Sequence, residues 1–500
     1  MRKCFLLALV LFMTTQVIGQ YQYNWTPRTQ KIYESITSLR IPEARTLLSQ
    51  DKKANASNLI YPLLESYADF YQLFLNENKD EYSRMYPAFE QRIQLLEAGP
   101  KQSPYHLYSL ALVHLHKSLI AIRFNKNFEA ALDFRKAFLL FKANKKAYPN
   151  FTPNDVYFGL MTTVIGTIPK GYQWMANVLG MTGKISEGNA LVLKYINSKD
   201  AFANHCRNEA LFVYPYLVMN FEGNKKKTFE FIEKTDFDLA GNHLHAYMAT
   251  NLYLNNQQSQ KALQIASNLN PSNLNPSNQY LTLPFWQLEM GYAYLNELKL
   301  DAAKTALQNF IGNFKGQFYV KDAYEKLSWI AFIQGDQTKA NAYRSNVLSK
   351  GNDMTDADKQ ALQNAKKGAW PHPILLRARL LSDGGYQQQA LAILAGKTSN
   401  DFDKAADKTE FAYRLGRIYD LAGQPDQAIP FYTSAIEKGT NQPEYFAARS
   451  ALQIGLIYEQ KGNPSLAITF FNTCLEMKNH AFKNSLDQKA KTGIQRCLRK

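Results

Sequence analysis

The chain has 500 residues, 46% of them hydrophobic and 20% charged, with a formal net charge of +16. Proline and glycine are too few for long disordered regions, so the composition describes a folded protein with a substantial core. Its basic excess suits anionic polymers, lipid head groups or acidic proteins as partners.

Met1-Arg2-Lys3 and the apolar run from Phe5 to Met13 read as the basic and hydrophobic parts of a signal peptide. Val17-Ile18-Gly19 fits the small-residue cleavage rule, so residues 1–19 are expected to be removed before Gln20. The apolar run is too short to span a bilayer. Cys4 precedes it, which argues against lipoprotein processing, and no later stretch is long and apolar enough to cross a membrane. The expected location is therefore periplasmic or secreted, including association with the outer membrane, where nucleic acid is not an expected partner.

Residues 20–268 read as an N-terminal helical region. A hairpin over 29–50 breaks at Ile41-Pro42, and 59–75 is an aromatic helix too apolar all round to be exposed. Residues 81–96 keep the helical period until Gly99-Pro100 stops it. Residues 105–141 form a second hairpin with Ser118 at a small crossing position. A long hairpin, 156–196, is inserted next: Phe158-Gly159 opens it, Ile168-Pro169 breaks it, and Gly180-Met181-Thr182-Gly183 precedes Glu187-Gly188. Lys142, Lys145 and Lys146, and Lys225 to Lys227, suit solvated helix ends, where cations complement the dipole.

The tandem Asn-Pro-Ser-Asn of residues 269–279 is a loop. Two helical repeats follow over 280–350, marked by Gly291 and Ala303, then by Ser328 and Ala340. Residues 351–372 are a polar connector carrying one helix near 356–366. Helical repeats resume over 373–478, and 479–500 ends the chain as a capping helix with a basic outer face.

The clearest pattern lies near the end. Leu415-Gly416, Tyr419, Gly423, Ala428, Tyr432 and Ala435 are matched at the same offsets by Ile454-Gly455, Tyr458, Gly462, Ala467, Phe471 and Cys474, 39 positions later. The small residues mark places where two helices cross closely, and the aromatic ones fill the space around them. Gly423-Gln424-Pro425 and Gly462-Asn463-Pro464 place glycine after one helix and proline at the start of the next. This pattern resembles the tetratricopeptide repeat, a helix–turn–helix unit of 34 residues. The resemblance implies an all-α, right-handed superhelical solenoid, since one such hairpin cannot bury its own apolar face. The 156–196 segment resembles part of a eukaryotic tetratricopeptide family linked to mitochondrial outer membranes and inclusion-body clearance, with Met181 replacing the usual aromatic residue. That implies a shared fold and nothing about function.

The resemblance also implies a concave face lined by the first helix of each repeat. Carried onto this chain, that face holds Phe285 and Tyr292, then Glu325, Trp329 and Phe332, then Tyr413 and Arg417, then Arg449. Members that read a partner's C-terminal carboxylate place lysine and asparagine there, so that mode is not expected. Trp329 and Tyr292 are the expected anchors if this face binds a partner. The alternative is that the connector or a second subunit buries these side chains as core.

No catalytic or metal motif stands out. Gly180-Met-Thr-Gly183-Lys184 lacks the first glycine of a phosphate loop, Ile185 replaces its Ser/Thr, and no strand precedes it. His114/His116 and His243/His245 are two apart, which on a helix points them in different directions. Neither a cofactor nor a metal is expected. The leading expectation is a non-catalytic interaction scaffold of the cell envelope that holds a protein or peptide. A periplasmic protein binding a peptide, glycan or apolar ligand is the alternative, and an enzyme with a site assembled from distant repeats is the third. Oligomeric state stays open.

Overall fold

The computed structural model describes residues 21–269 and 280–498; the expected signal peptide and nearly all of the Asn/Pro/Ser loop lie outside them. The fold is all-α, as expected, and the only β pairing among the described residues is an isolated bridge between Gln22 and Asn58. Two compact units divide the described residues, the first ending at Glu233 and also holding residues 280–281. The expected N-terminal region 20–268 is thus cut short. Its last hairpin, His243–Leu254 with Ser259–Asn268, packs on the Phe285–Asn296 helix and belongs to the second unit.

In the N-terminal unit the Pro27–Thr37 and Ile41–Ala54 helices are separated by Leu39, which adopts a left-handed backbone conformation at φ 62°. The aromatic Ile60–Asn76 helix is buried on almost every side, as its composition requires, and packs on Pro104–Arg123. That helix pairs in turn with Asn127–Ala147, and where they cross, Ser118 is fully buried and its Oγ donates to the Ala130 carbonyl at 2.8 Å. The inserted hairpin consists of Pro153–Gly166 and Ile185–Ile196. They cross with Gly159 against Gly188, so closely that a Cβ on Gly188 would lie 2.4 Å from the Gly159 carbonyl oxygen. Between them Gln173–Val178 forms a short helix; Arg207–Leu217 follows, and the unit ends within Lys225–Lys234, at Glu233.

The C-terminal unit stacks regular hairpins. After His243–Leu254 and Ser259–Asn268 come Phe285–Asn296 with Leu300–Asn313, and Val320–Ile333 with Gln337–Ser349. The connector contributes one helix, Asp356–Lys367. Pro373–Gly384 with Gln387–Leu394, Ala405–Leu421 with Pro425–Gly439, and Phe446–Gln460 with Pro464–Glu476 follow, closed by Lys483–Cys497. Each crossing expected from the sequence is close-packed. A Cβ on Gly416 would sit 2.6 Å from the Tyr432 ring, one on Gly455 2.6 Å from the Phe471 ring, and one on Gly291 2.7 Å from Leu307. Ala303, Ala340, Ala428 and Ala467 are fully buried opposite, and so is Ala435, which shares a core with Phe446 and Ile454 of the next hairpin. Tyr419 stacks on Phe431 and Tyr458 on Phe470, with centroids 5.5 and 5.8 Å apart. The terminal helix repeats the device: Gly493 lies 2.5 Å, by the same measure, from the opposite edge of Phe471. Cys206 and Cys474 are free, buried thiols, and Cys497 is buried in one core cluster with Cys474.

Candidate functional site

Within the C-terminal unit, the first helices of successive hairpins line two adjoining cavities of about 290 and 250 Å³, with Arg379, Arg414, Tyr445 and Phe482 common to both. The larger is walled by two tryptophans. Trp329 comes from Val320–Ile333, where apolar residues pack inward and Ser328, at the crossing, turns its Oγ back to the Glu325 carbonyl at 2.6 Å. Trp370 comes from the connector, which the sequence reading treats only as polar cover. Phe446 and the half-exposed Phe482 contribute further aromatic surface.

Cations hold the tryptophans. Lys326 Nζ lies 4.1 Å from the Trp329 ring centroid and Arg379 5.3 Å from it. Arg344 stacks 3.4 Å over Trp370 while donating to the Gly368 carbonyl at 2.6 Å, which anchors the connector. Burial opposes the charge on Lys326, but Asp322 and Glu325 outweigh it and lift its pKa above the ordinary lysine value. Glu325 is itself buried and accepts from Asn364 Nδ2 of the connector helix at 2.8 Å. A rigid apolar slot with charged walls results, a form suited to an aromatic or aliphatic side chain carried on a polar segment.

The smaller cavity has a different character. Arg379, Arg414, Arg417 and Arg449 line it, together with Tyr413, Tyr445, Phe482, Asp383, Ser485 and Leu486. Arg414 is 5% exposed and donates to Glu410 at 2.7 and 3.0 Å; burial opposes its charge and Glu410 restores it. Arg379 pairs with Asp383 at 3.4 Å. Arg417 and Arg449 have neither a hydrogen bond nor an ion pair from their side chains among the described residues, and Arg449 Nε is buried without a partner.

The expected concave-face residues therefore separate. Glu325 and Trp329 line the larger cavity, and Tyr413, Arg417 and Arg449 the smaller. Phe285 lines neither; it is 2% exposed and packs against Phe310, Phe314 and Tyr319. Tyr292 is engaged within the unit, its hydroxyl donating to Asp322 at 2.5 Å. Phe332 stacks face to face on Trp370 at 4.7 Å, so the connector covers it, the outcome the sequence left open as an alternative. Sequence reasoning missed Trp370, Arg379 and Arg414. A lone tryptophan in an otherwise polar connector was the available signal for the first. For the arginines it was their place on first helices, Arg414 two residues before the crossing Gly416.

Elsewhere the His114/His116 pair diverges as its spacing requires: His114 meets Asp133 at 2.6 Å and His116 meets Ser66 at 2.9 Å. Among the described residues no three His, Cys, Asp or Glu side chains are grouped to hold a metal ion, and no helix is long and apolar enough to cross a membrane.

The tetratricopeptide repeat model matches residues 412–444 and again 448–480, over the twin copies read from the sequence. No curated protein matches the chain. Solved structures resemble it as well, three of which follow. The TPR domain of P58(IPK) is 12% identical over 85% of this chain and 97% of its own, with a TM-score of 0.22. Naa15/Naa10 bound to HypK-THB is 13% identical over 94% and 66%, at 0.25. The APC/C hetero-tetramer Cut9-Hcn1 is 12% identical over 95% and 97%, at 0.24.

Proposed function

We propose that this chain, whose residues 412–480 hold two tetratricopeptide repeats, is a non-catalytic scaffold that holds a protein partner in the cell envelope. The observation that carries the reading is the pair of cavities, where Trp329 and Tyr413 from first helices of successive hairpins meet Trp370 of the connector and Phe482 of the chain before the terminal helix, beside arginines. Buried aromatics and arginine dominate interface energies, and both are concentrated there. The 1–19 segment supports the envelope setting through its charge and hydropathy alone.

Photo-crosslinking in envelope fractions tests both parts. A benzophenone side chain placed at Phe482 should capture one protein, and Trp329→Ala should weaken the capture. The same group at Phe128, which is 77% exposed in the other unit, should not capture it. Equal capture from both positions would remove the site from the C-terminal unit. Export is checked by fusing residues 1–30 to a phosphatase that folds only outside the cytoplasm; an inactive fusion would put the protein elsewhere. The 290 Å³ cavity also favours a second reading, a protein that retains a peptide, glycan or apolar ligand. Mass spectrometry of the denatured, purified chain would then show a stoichiometric small molecule.

A further inference from the structure

The arginine-lined cavity holds more positive charge than the protein neutralises. Two of its four guanidiniums have carboxylates, Arg414 with Glu410 and Arg379 with Asp383. Arg417 and Arg449 remain. Asp383 and Asp420 attract Arg417 without bonding to it, and Lys489 and Arg449 repel each other. Arg449 is the costlier of the two, a guanidinium half-withdrawn from water with a buried Nε that donates to nothing. Like charges held together in a concave, partly apolar site raise the local concentration of anions. Tyr413, Tyr445 and Phe482 close the walls, with Tyr445 edge-on to both of the others at 5.9 and 5.3 Å.

We propose that this pocket is an oxyanion site that receives the side-chain carboxylates of an acidic segment of the protein partner, with Arg417 and Arg449 as the receiving groups. The proposal rests on the scaffold reading and adds the chemistry of the partner to it. Guanidinium and carboxylate match as planar forks. The two pairs already formed in the pocket wall, on Arg414 and Arg379, show that side chain to side chain geometry is accessible there. A single chain terminus would bring one carboxylate and leave the second free arginine uncompensated, whereas neighbouring acidic residues bring two. The aromatic walls suit the methylene stems of glutamate. The Trp329–Trp370 slot next door would take an apolar residue of the same segment.

The experiment titrates the purified chain with a fluorescent glutamate-rich peptide, acetylated and amidated so that it has no terminal charges, and with its glutamine-rich counterpart. The glutamate peptide should bind at least about tenfold more tightly, and Arg417→Gln and Arg449→Gln should each remove most of that preference. Lys478→Gln, a control outside the pocket, should leave it unchanged. Neither arginine side chain is bonded within the fold, so both glutamine variants should melt at or above the wild-type temperature. Equal binding of the two peptides overturns the proposal, as does full binding by Arg417→Gln and Arg449→Gln. A large fall in melting temperature would show that the arginines brace the fold, and also overturns it. Binding of inorganic phosphate without binding of the glutamate peptide would assign the pocket to phosphate and reject the carboxylate assignment. Because the titration uses purified protein, it stands apart from envelope capture. Failed capture with a positive titration removes the scaffold reading and keeps the pocket; the reverse removes only the pocket.

Discussion

Where helices cross in the last two repeats of the C-terminal unit, a glycine meets an aromatic ring; at the crossing of the inserted hairpin in the N-terminal unit, backbone meets backbone. Gly416 and Gly455 face Tyr432 and Phe471, whereas Gly188 faces the Gly159 carbonyl and Thr163. The same contrast runs through the two interiors. The N-terminal unit encloses an ionisable group, Glu209, in a shell of tyrosines: Tyr157 Oη donates to it at 2.5 Å, Tyr71 Oη reaches it at 3.4 Å, and Tyr67 Oη bonds to Tyr157 Oη at 2.5 Å. The C-terminal unit also buries a carboxylate, Glu289, but it accepts from the Asn251 amide at 2.8 Å instead of from tyrosines, and the aromatic cavities of that unit are lined by arginines. One unit joins distant polar groups into a buried network. The other repeats a simple packing rule, which leaves the first-helix face free to vary in chemistry.

The largest effect is expected at the backbone crossing. A Cβ on Gly188 would lie 2.2 Å from Thr163 Oγ1 and 2.6 Å from the Thr163 nitrogen, and a helix cannot yield as a ring edge can. Gly188→Leu should cost about 3 kcal/mol or more, and Gly416→Leu or Gly455→Leu about 1–3 kcal/mol. Thermal melts of the three variants check this ranking. If Gly188→Leu melts with the wild type, the contrast between the two crossings is wrong.

Next comes the buried carboxylate. Burial raises the Glu209 pKa to about 7 from an ordinary value of 4.5, even though its tyrosine hydrogen bonds pull it down. The folded state therefore binds this proton more tightly than the unfolded one. The resulting stability is complete below about pH 4.5 and is lost as pH rises through about 7, a total of about 3 kcal/mol. Glu289 in the C-terminal unit is raised to about 7 by burial as well, partly opposed by the hydrogen bond from Asn251. His116 moves the other way: burial, and then Arg92, lowers it to about 3, so its contribution falls as the medium becomes acidic below about 6.5. The clean quantity is the difference between wild type and Glu209→Gln, which keeps the shape of the protonated acid. That difference should shift in favour of the variant from pH 4.5 to 7, and a pH-independent difference would mean that Glu209 is not held neutral.

A third effect tests the cavity side of the comparison. Trp329→Ala removes a wall of the larger cavity and should weaken partner capture by about 2 kcal/mol. Its fold should survive, because Ser328 and Ala340 keep the crossing closed. Lost capture in a protein that has also unfolded would place Trp329 with the core instead.

These outcomes bear on what a sequence can display. The twin repeats were legible because their signals are local: Gly416 and Gly455, Ala428 and Ala467, Tyr419 and Tyr458 each recur at fixed offsets, and the structure places each in the packing role its size requires. The tyrosine shell of Glu209 was not legible. Its members come from positions 67, 71, 157 and 209, joined only by the fold, and nothing in their local spacing links them. The candidate site was half legible for the same reason. Repeat register pointed to Trp329, Arg417 and Arg449, but Trp370 arrives by way of a connector with no register. Phe285 has the right register and still faces the core, because Phe310 and Phe314 close over it.

The smallest predicted effect uses the repeat pair as its own control. Asn463 and Gln424 occupy equivalent N-cap positions, each followed by proline and preceded by glycine in left-handed conformation, at φ 73° and 75°. Asn463 Oδ1 accepts from the Leu466 amide at 3.1 Å, whereas Gln424 makes no side-chain cap bond. One more methylene carries the glutamine carbonyl past the amide it would need to reach, and the amide equivalent to that of Leu466, Gln427 N–H, falls back on the Gln424 backbone carbonyl at 3.1 Å. Gln424→Asn should therefore stabilise the protein, and Asn463→Ala should destabilise it, each by about 1 kcal/mol. The two changes lie in adjacent hairpins with no shared partner, so the double variant should return close to the wild-type melting temperature. If Gln424→Asn fails to stabilise while Asn463→Ala still destabilises, the two turns are not interchangeable despite their matched sequence. The regularity of the C-terminal unit would then stop at its helix crossings.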